Sequence, residues 1–121
     1  MAITVTNQAN PLGARMVQDI NANATAADNT TGASGTLYFV EVDNTNNAGA
    51  VYLKIADSAN ATGGTTAAEV CLACDGSSRS QYVFPRGISF GSGFSHWCVT
   101  GPAEASTANP GSAVTVRYIT S

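Results

Sequence analysis

Four side chains could hold a metal or carry thiol chemistry. Cys71 and Cys74 stand in "EVCLACDG" as C-x-x-C, and His96 and Cys98 follow in "GFSHWCVT" as H-x-C. They are all three cysteines and the single histidine of the chain. Read together as C-x2-C-x21-H-x-C, they offer the sulfur and nitrogen ligands of a tetrahedral structural zinc site. His96 and Cys98, two apart on a strand, point to one face. Against zinc, H-x-C is not a usual second half, and "CLAC" lacks the glycine that lets a knuckle turn. The residues favour a plainer reading, in which Cys71 and Cys98 are small core hydrophobes. His96 then hydrogen-bonds nearby backbone or sits at a subunit contact.

Other chemistries find less support. A thioredoxin-like dithiol needs its C-x-x-C at a helix N-terminus, and "CLAC" lies between strand-like residues and a turn. A cysteine nucleophile needs a base and a group to orient that base, and no nucleophile motif surrounds any of the three thiols. "FGSGFS" is a turn rather than a phosphate cradle, because no lysine and no helix follow it. No catalytic residue, resident metal or cofactor is expected. Trp97, the only tryptophan, lies on the parity opposite His96, which makes it a core residue or an interface anchor.

The elements that position these residues read as strands. Of 121 residues only 11% are charged, while 20 Ala, 14 Thr, 12 Gly, 11 Ser and 10 Asn supply a small, neutral surface. One lysine and four leucines are too few for a helical protein. The basic residues Arg15, Lys54, Arg79, Arg86 and Arg117 are scattered and the net charge is −3, so no phosphate track for nucleic acid forms. A surface so weakly charged is poorly protected against association, which suits coverage by other protein. No apolar run approaches membrane-spanning length. "MAITVTNQANPLGARM" has neither the basic nor the apolar region of a signal peptide, which points to synthesis in the cytoplasm with free thiols.

Period-2 alternation recurs in "AITVT", "TLYFVEVD", "VYLKIAD", "AEVCLAC", "RSQYVF", "GFSHWCVT" and "AVTVRYIT". Val51, Leu53 and Ile55 share one face; Val114, Val116 and Tyr118 alternate with Thr115 and Arg117. "ARMVQDINAN" fits a strand or a short helix, with Met16, Gln18 and Ile20 on one parity and Val17 and Asp19 on the other. Pro85 and Gly87 end one strand before a short "ISF". Residues 21–35, "NANATAADNTTGASG", read as a long surface loop with almost nothing to bury. The prediction is one all-β domain over residues 1–121, an antiparallel, jelly-roll-like β-sandwich of about eight short strands.

The stretches "LYFVEVDNTNNAGAVYLKIADSANATGGTTA" and "QYVFPRGISFGSGFSHWCVTGPAEASTANPGSAVTVRYIT" also carry a resemblance. A strand, D-N-T, a V-Y-L-K-I strand, a G-T turn, F-P-x-G-I-x-F, a "CVTG" segment and a closing V-T-V strand resemble small structural proteins of tailed bacteriophages, especially phages of marine bacteria and cyanobacteria. The likeness covers roughly residues 36–121, and "CLACDG" departs from it by its cysteines. It implies a head decoration (cement) protein on the outer capsid surface of the virion, bridging capsomers. Its partners would be the major capsid protein and further copies of itself, as a homotrimer; nucleic acid and membrane are not implied. Residues 1–13 and the 21–35 loop would be arms that order on the lattice. The alternative is a tail- or fibre-associated sandwich, with glycans stacking on Trp97 and Tyr38, Tyr52 or Tyr82.

Overall fold

The computed structural model describes residues 3–7 and 12–121, and the remainder of the proposed 1–13 arm lies outside the described residues. Eight strands follow in order: β1 (Ile3–Asn7), β2 (Arg15–Ala22), β3 (Gly35–Asn44), β4 (Val51–Asp57), β5 (Val70–Cys74), β6 (Ser78–Phe90), β7 (Phe94–Val99) and β8 (Val114–Thr120). They form a five-stranded sheet, β1-β2-β8-β3-β6, and a three-stranded sheet, β5-β4-β7, with every strand pairing among the described residues antiparallel. No helix occurs among the described residues. The chain is all-β, as the alternation predicts, and "ARMVQDINAN" is a strand.

The topology follows from folding one long hairpin onto itself. β4 pairs with β5, β3 with β6, and β2 with β8. Between β2 and β3 the chain crosses to the small sheet, where Ala27 bridges His96 of β7. The first half thus pairs with the second in reverse order, which is the arrangement of a jelly roll. β1 is added at the edge of the large sheet, where Ile3 packs on the core. Residues 3–7 are therefore a paired strand and not a free arm.

The 21–35 segment also departs from its reading as a surface loop. Its ends belong to β2 and β3, and its middle is a strap along the outer edge of β7. The Ala27 and His96 amides each donate to the other's carbonyl at 2.8 and 3.1 Å. The Thr30 amide donates to Phe94 O at 2.9 Å and the Cys98 amide to Asn23 O at 2.8 Å. Small residues suffice here because the strap satisfies backbone groups of β7 rather than filling a core.

β6 likewise runs on through Pro85 and Gly87. The missing proline N–H is tolerated because β6 is an edge strand. The register against β3 jumps between Leu37↔Ile88 and Phe39↔Val83, so the intervening β6 residues bulge out. Gly87 sits there at φ 75°, and a Cβ would lie 2.1 Å from Thr36 Cγ2. Only glycine fits that turn of the bulge.

The main core lies between the sheets: Val17, Val40, Val42, Val116 and Tyr118 of the large sheet face Leu53, Ile55, Leu72, Phe94 and Cys98 of the small one. Phe90 and Phe94 stack at 4.6 Å between ring centroids. A second, smaller core sits outside the small sheet, where Trp97, Val99, Ala56 and Ala61 pack with Ala24, Ala26 and Ala68. The two faces of the sandwich therefore differ: loops cover the outside of the small sheet, while the outside of the large sheet carries none of the buried core residues.

Candidate functional site

His96 is held by β7 on the inner face of the small sheet, opposite Ile55. Its Nε2 lies 2.8 Å from Asp19 Oδ2, across the sandwich on β2. Its Nδ1 lies 3.0 Å from the Tyr118 hydroxyl on β8, which lies 2.7 Å from Thr30 Oγ1 on the strap. Asp19 Oδ1 accepts the Asn21 amide at 2.9 Å. One polar chain thus ties both sheets and the strap together. The partners of the His96 ring are side chains, not the backbone or subunit contact expected from sequence.

The connectivity is that of an acid, an imidazole and a hydroxyl, the logic of a catalytic triad. The physics differs. Asp19 and His96 are each 1% exposed and Tyr118 is 0% exposed, so no substrate reaches them in this state. Burial pushes the Tyr118 phenol well above its usual range, with the Thr30 hydrogen bond working the other way and the Asp19 charge adding to the rise. The hydroxyl is made harder to ionise, opposite to what a nucleophile needs. The network is a buried, hydrogen-bonded polar arrangement that fixes which faces of β2, β7 and β8 meet.

The zinc quartet is not assembled. Cys74 and Cys98 face the interior, whereas Cys71 is exposed. Both ring nitrogens of His96 are engaged as above, and no set of three or more potential ligands clusters among the described residues. Cys71 also departs from its reading as a core residue: along β5 Val70, Leu72 and Cys74 are buried and Cys71 and Ala73 point out. Cys98 does pack in the core, where burial first, then Cys74 and Asp19, push its thiol up to about 12. That thiol is inert in the folded protein.

Trp97 is buried at 0% exposure beneath the loops over the small sheet and so presents no interface anchor. Its Nε1 has no hydrogen-bond partner. The glycan platform is not formed either. Trp97 is covered, Tyr82 is packed against the main core with its hydroxyl donating to Ala73 O, and Tyr38 and Tyr52 belong to different sheets. Lys54, the one lysine, is buried on the outer side of the small sheet and donates from Nζ to Ala103 O. It stands opposite Cys71 across β4 and β5, beside a cavity of about 120 Å³ that Pro102 and Glu104 also line.

The accessible groups that sequence reasoning did not single out lie on the bare face of the large sheet. One cross-strand row reads Met16, Ile119, Phe39, Val83 over β2, β8, β3 and β6. The next row reads Gln18, Arg117, Glu41, Gln81 on the same strands. Arg117 donates to Gln18 Oε1 at 3.2 Å and to Glu41 Oε1 at 2.9 Å, and Gln81 donates to Glu41 Oε2 at 2.8 Å. In the third row Arg79 meets Asp43 at 3.2 Å. Alternation placed each residue on the outward parity; only strand order could align them into rows. Comparison of this chain with protein-family models, curated proteins and solved structures found no match.

Proposed function

We propose that the protein is a non-enzymatic structural component of a tailed-phage virion, a decoration protein that binds the assembled capsid and bridges capsomers. One observation carries the reading: apart from the exposed Cys71, the reactive side chains serve as internal struts. His96, Cys74, Cys98, Lys54 and Trp97 are all buried, and His96 and Lys54 are spent on interior hydrogen bonds. What faces outward is mostly neutral amide and hydroxyl chemistry, with Arg117 paired to Glu41 and Arg79 to Asp43 on the large sheet, a surface suited to contact rather than turnover. The resemblance over residues 36–121 points the same way, and a jelly roll is an architecture common to virion proteins, though lectin domains use it too.

Cementing works by mass action. A subunit that binds only the expanded shell stabilises that shell by its binding free energy. The test is co-sedimentation of the purified protein with shells of the phage that encodes it, before and after expansion. Saturable binding to expanded shells alone is the expected result. Binding to tails or to glycans on an array, with none to shells, replaces this reading by the fibre-associated one.

A further inference from the structure

We infer that the bare face of the five-stranded sheet is a self-complementary interface and that two copies meet there about a twofold axis running parallel to the strands, between β8 and β3. The contact is independent of what the virion partner is. It differs from the trimer that the resemblance implies.

Met16, Ile119 and Phe39 are partly exposed, Val83 is 59% exposed, and the four sit side by side across four strands. Ile20, 50% exposed, lies on the same outward parity of β2. A contiguous apolar band on an open sheet face marks an interaction surface. The other broad face of the sandwich is already covered by its own loops and second core.

The charges on this face select a second copy as the occupant. Arg117 pairs with Glu41 and Arg79 with Asp43 within the sheet, so the face brings no net charge to a partner. Their order does more. A twofold axis parallel to the strands exchanges β8 with β3 and β2 with β6, and leaves each row at its own height. Ile119 then lies over Phe39 of the other copy, and Met16 over Val83. Arg117 lies over Glu41, and Gln18 over Gln81. In these two rows apolar meets apolar and Arg117 meets Glu41, while in the third row Arg79 keeps its pairing with Asp43 of its own sheet.

The area is sufficient for a modest dimer. Four strands about 4.8 Å apart, each contributing about six residues at about 3.3 Å, cover roughly 400 Å² in plan per copy. Two copies bury roughly 800 Å² before side-chain relief is added, which brings the contact to the about 1,000 Å² that specific interfaces start from. Sheets stacked in this way cross at about −30° through their own twist.

Sedimentation equilibrium of the full chain over micromolar concentrations tests the inference. The expected species is a monomer–dimer equilibrium that Val83→Asp shifts at least tenfold towards monomer, with unchanged circular dichroism. The axis is tested by cross-linking in a Cys71→Ser background. Met16→Cys and Val83→Cys proteins should form a disulfide-linked dimer when mixed and little when oxidised separately. A protein that stays monomeric, one that forms trimers, or a dimer indifferent to Val83→Asp overturns the proposal. Cross-linking by Met16→Cys alone overturns the axis, because that product requires β2 to lie over β2 of the other copy rather than over β6.

Discussion

The imidazole of His96 and the carboxylate of Asp19 meet 2.8 Å apart inside the sandwich, each 1% exposed, one from either sheet. Removing one partner leaves the other buried without compensation, so His96→Leu and Asp19→Leu should each cost about 3–5 kcal/mol. The double substitution replaces a polar contact by an apolar one and should cost less than either single change. Urea unfolding of the four proteins measures the cycle. Additive losses would mean that the pair is not coupled.

Thiol reactivity should separate the three cysteines. Cys71 is exposed while Cys74 and Cys98 are buried, with the Cys98 thiol pushed up to about 12. A chromogenic disulfide reagent at pH 8 should titrate one thiol quickly and the other two only after unfolding. Cys71→Ser should abolish the fast phase and leave the fold unchanged.

Stability should fall at both ends of the pH scale. The Asp57 carboxyl is held below the ordinary carboxylate range by the Ser92, Gly91 and Gly93 amides, and that of Asp43 by its Thr45 hydrogen bonds together with Arg79 and Arg117. Depressed carboxylates contribute stability above their unfolded value of 3.8 and lose it as pH falls further. Cys98 has the opposite sign: its thiol ionises at about 9.0 when unfolded and about 12 when folded. Its contribution is intact below pH 9 and declines above it by about 1.4 kcal/mol per pH unit. Melting temperatures from pH 2 to 11 test both arms, and Cys98→Ala should make the alkaline one shallower, leaving the part that the raised Tyr118 phenol adds above pH 10.

Trp97→Ala should cost about 3–5 kcal/mol, because the ring is fully buried. Trp97→Phe should cost much less, since Nε1 makes no hydrogen bond that would be lost. As the only tryptophan, it should emit at short wavelength in the native protein and shift to the red on unfolding. Native emission at the wavelength of free tryptophan would contradict its burial.

The strap should resist hydrogen exchange. The amides of Ala27 and Thr30 bond to β7, so they should exchange orders of magnitude more slowly than Gly32 to Ser34 beside them, of which the Gly32 amide bonds only to Asn29 O. Exchange at the rate of an open loop throughout 23–34 would return this segment to the role of a free arm.

Alternation made most of the sandwich legible. Val51, Leu53 and Ile55 face inward, and β8 alternates buried and half-exposed residues along its whole length, both as the sequence indicates. The polar interior was not legible. Asp19 on an inward parity is unfavourable alone and becomes acceptable only through His96, which no local window contains. The strap was missed because Ala27 and Thr30 give no apolar signal; their value lies in backbone groups aligned with β7. Trp97 gave equal support to core and surface, since what covers it is a set of alanines from distant loops. β6 continued past Pro85 because an edge strand does not need that donor.

Pairing of the first half of the chain with the second in reverse has a consequence for synthesis. β8 lies between β2 and β3 and is the last strand to be made, with Arg15 paired to Thr120. A nascent chain still on the ribosome can close the β4–β5 hairpin, but its large sheet lacks a central member until β8 emerges. Such separation in sequence makes folding slow and leaves strand edges open meanwhile. A chain without β8 would leave β2 and β3 unjoined, so the arrival of β8 is the checkpoint between separate hairpins and a completed sandwich.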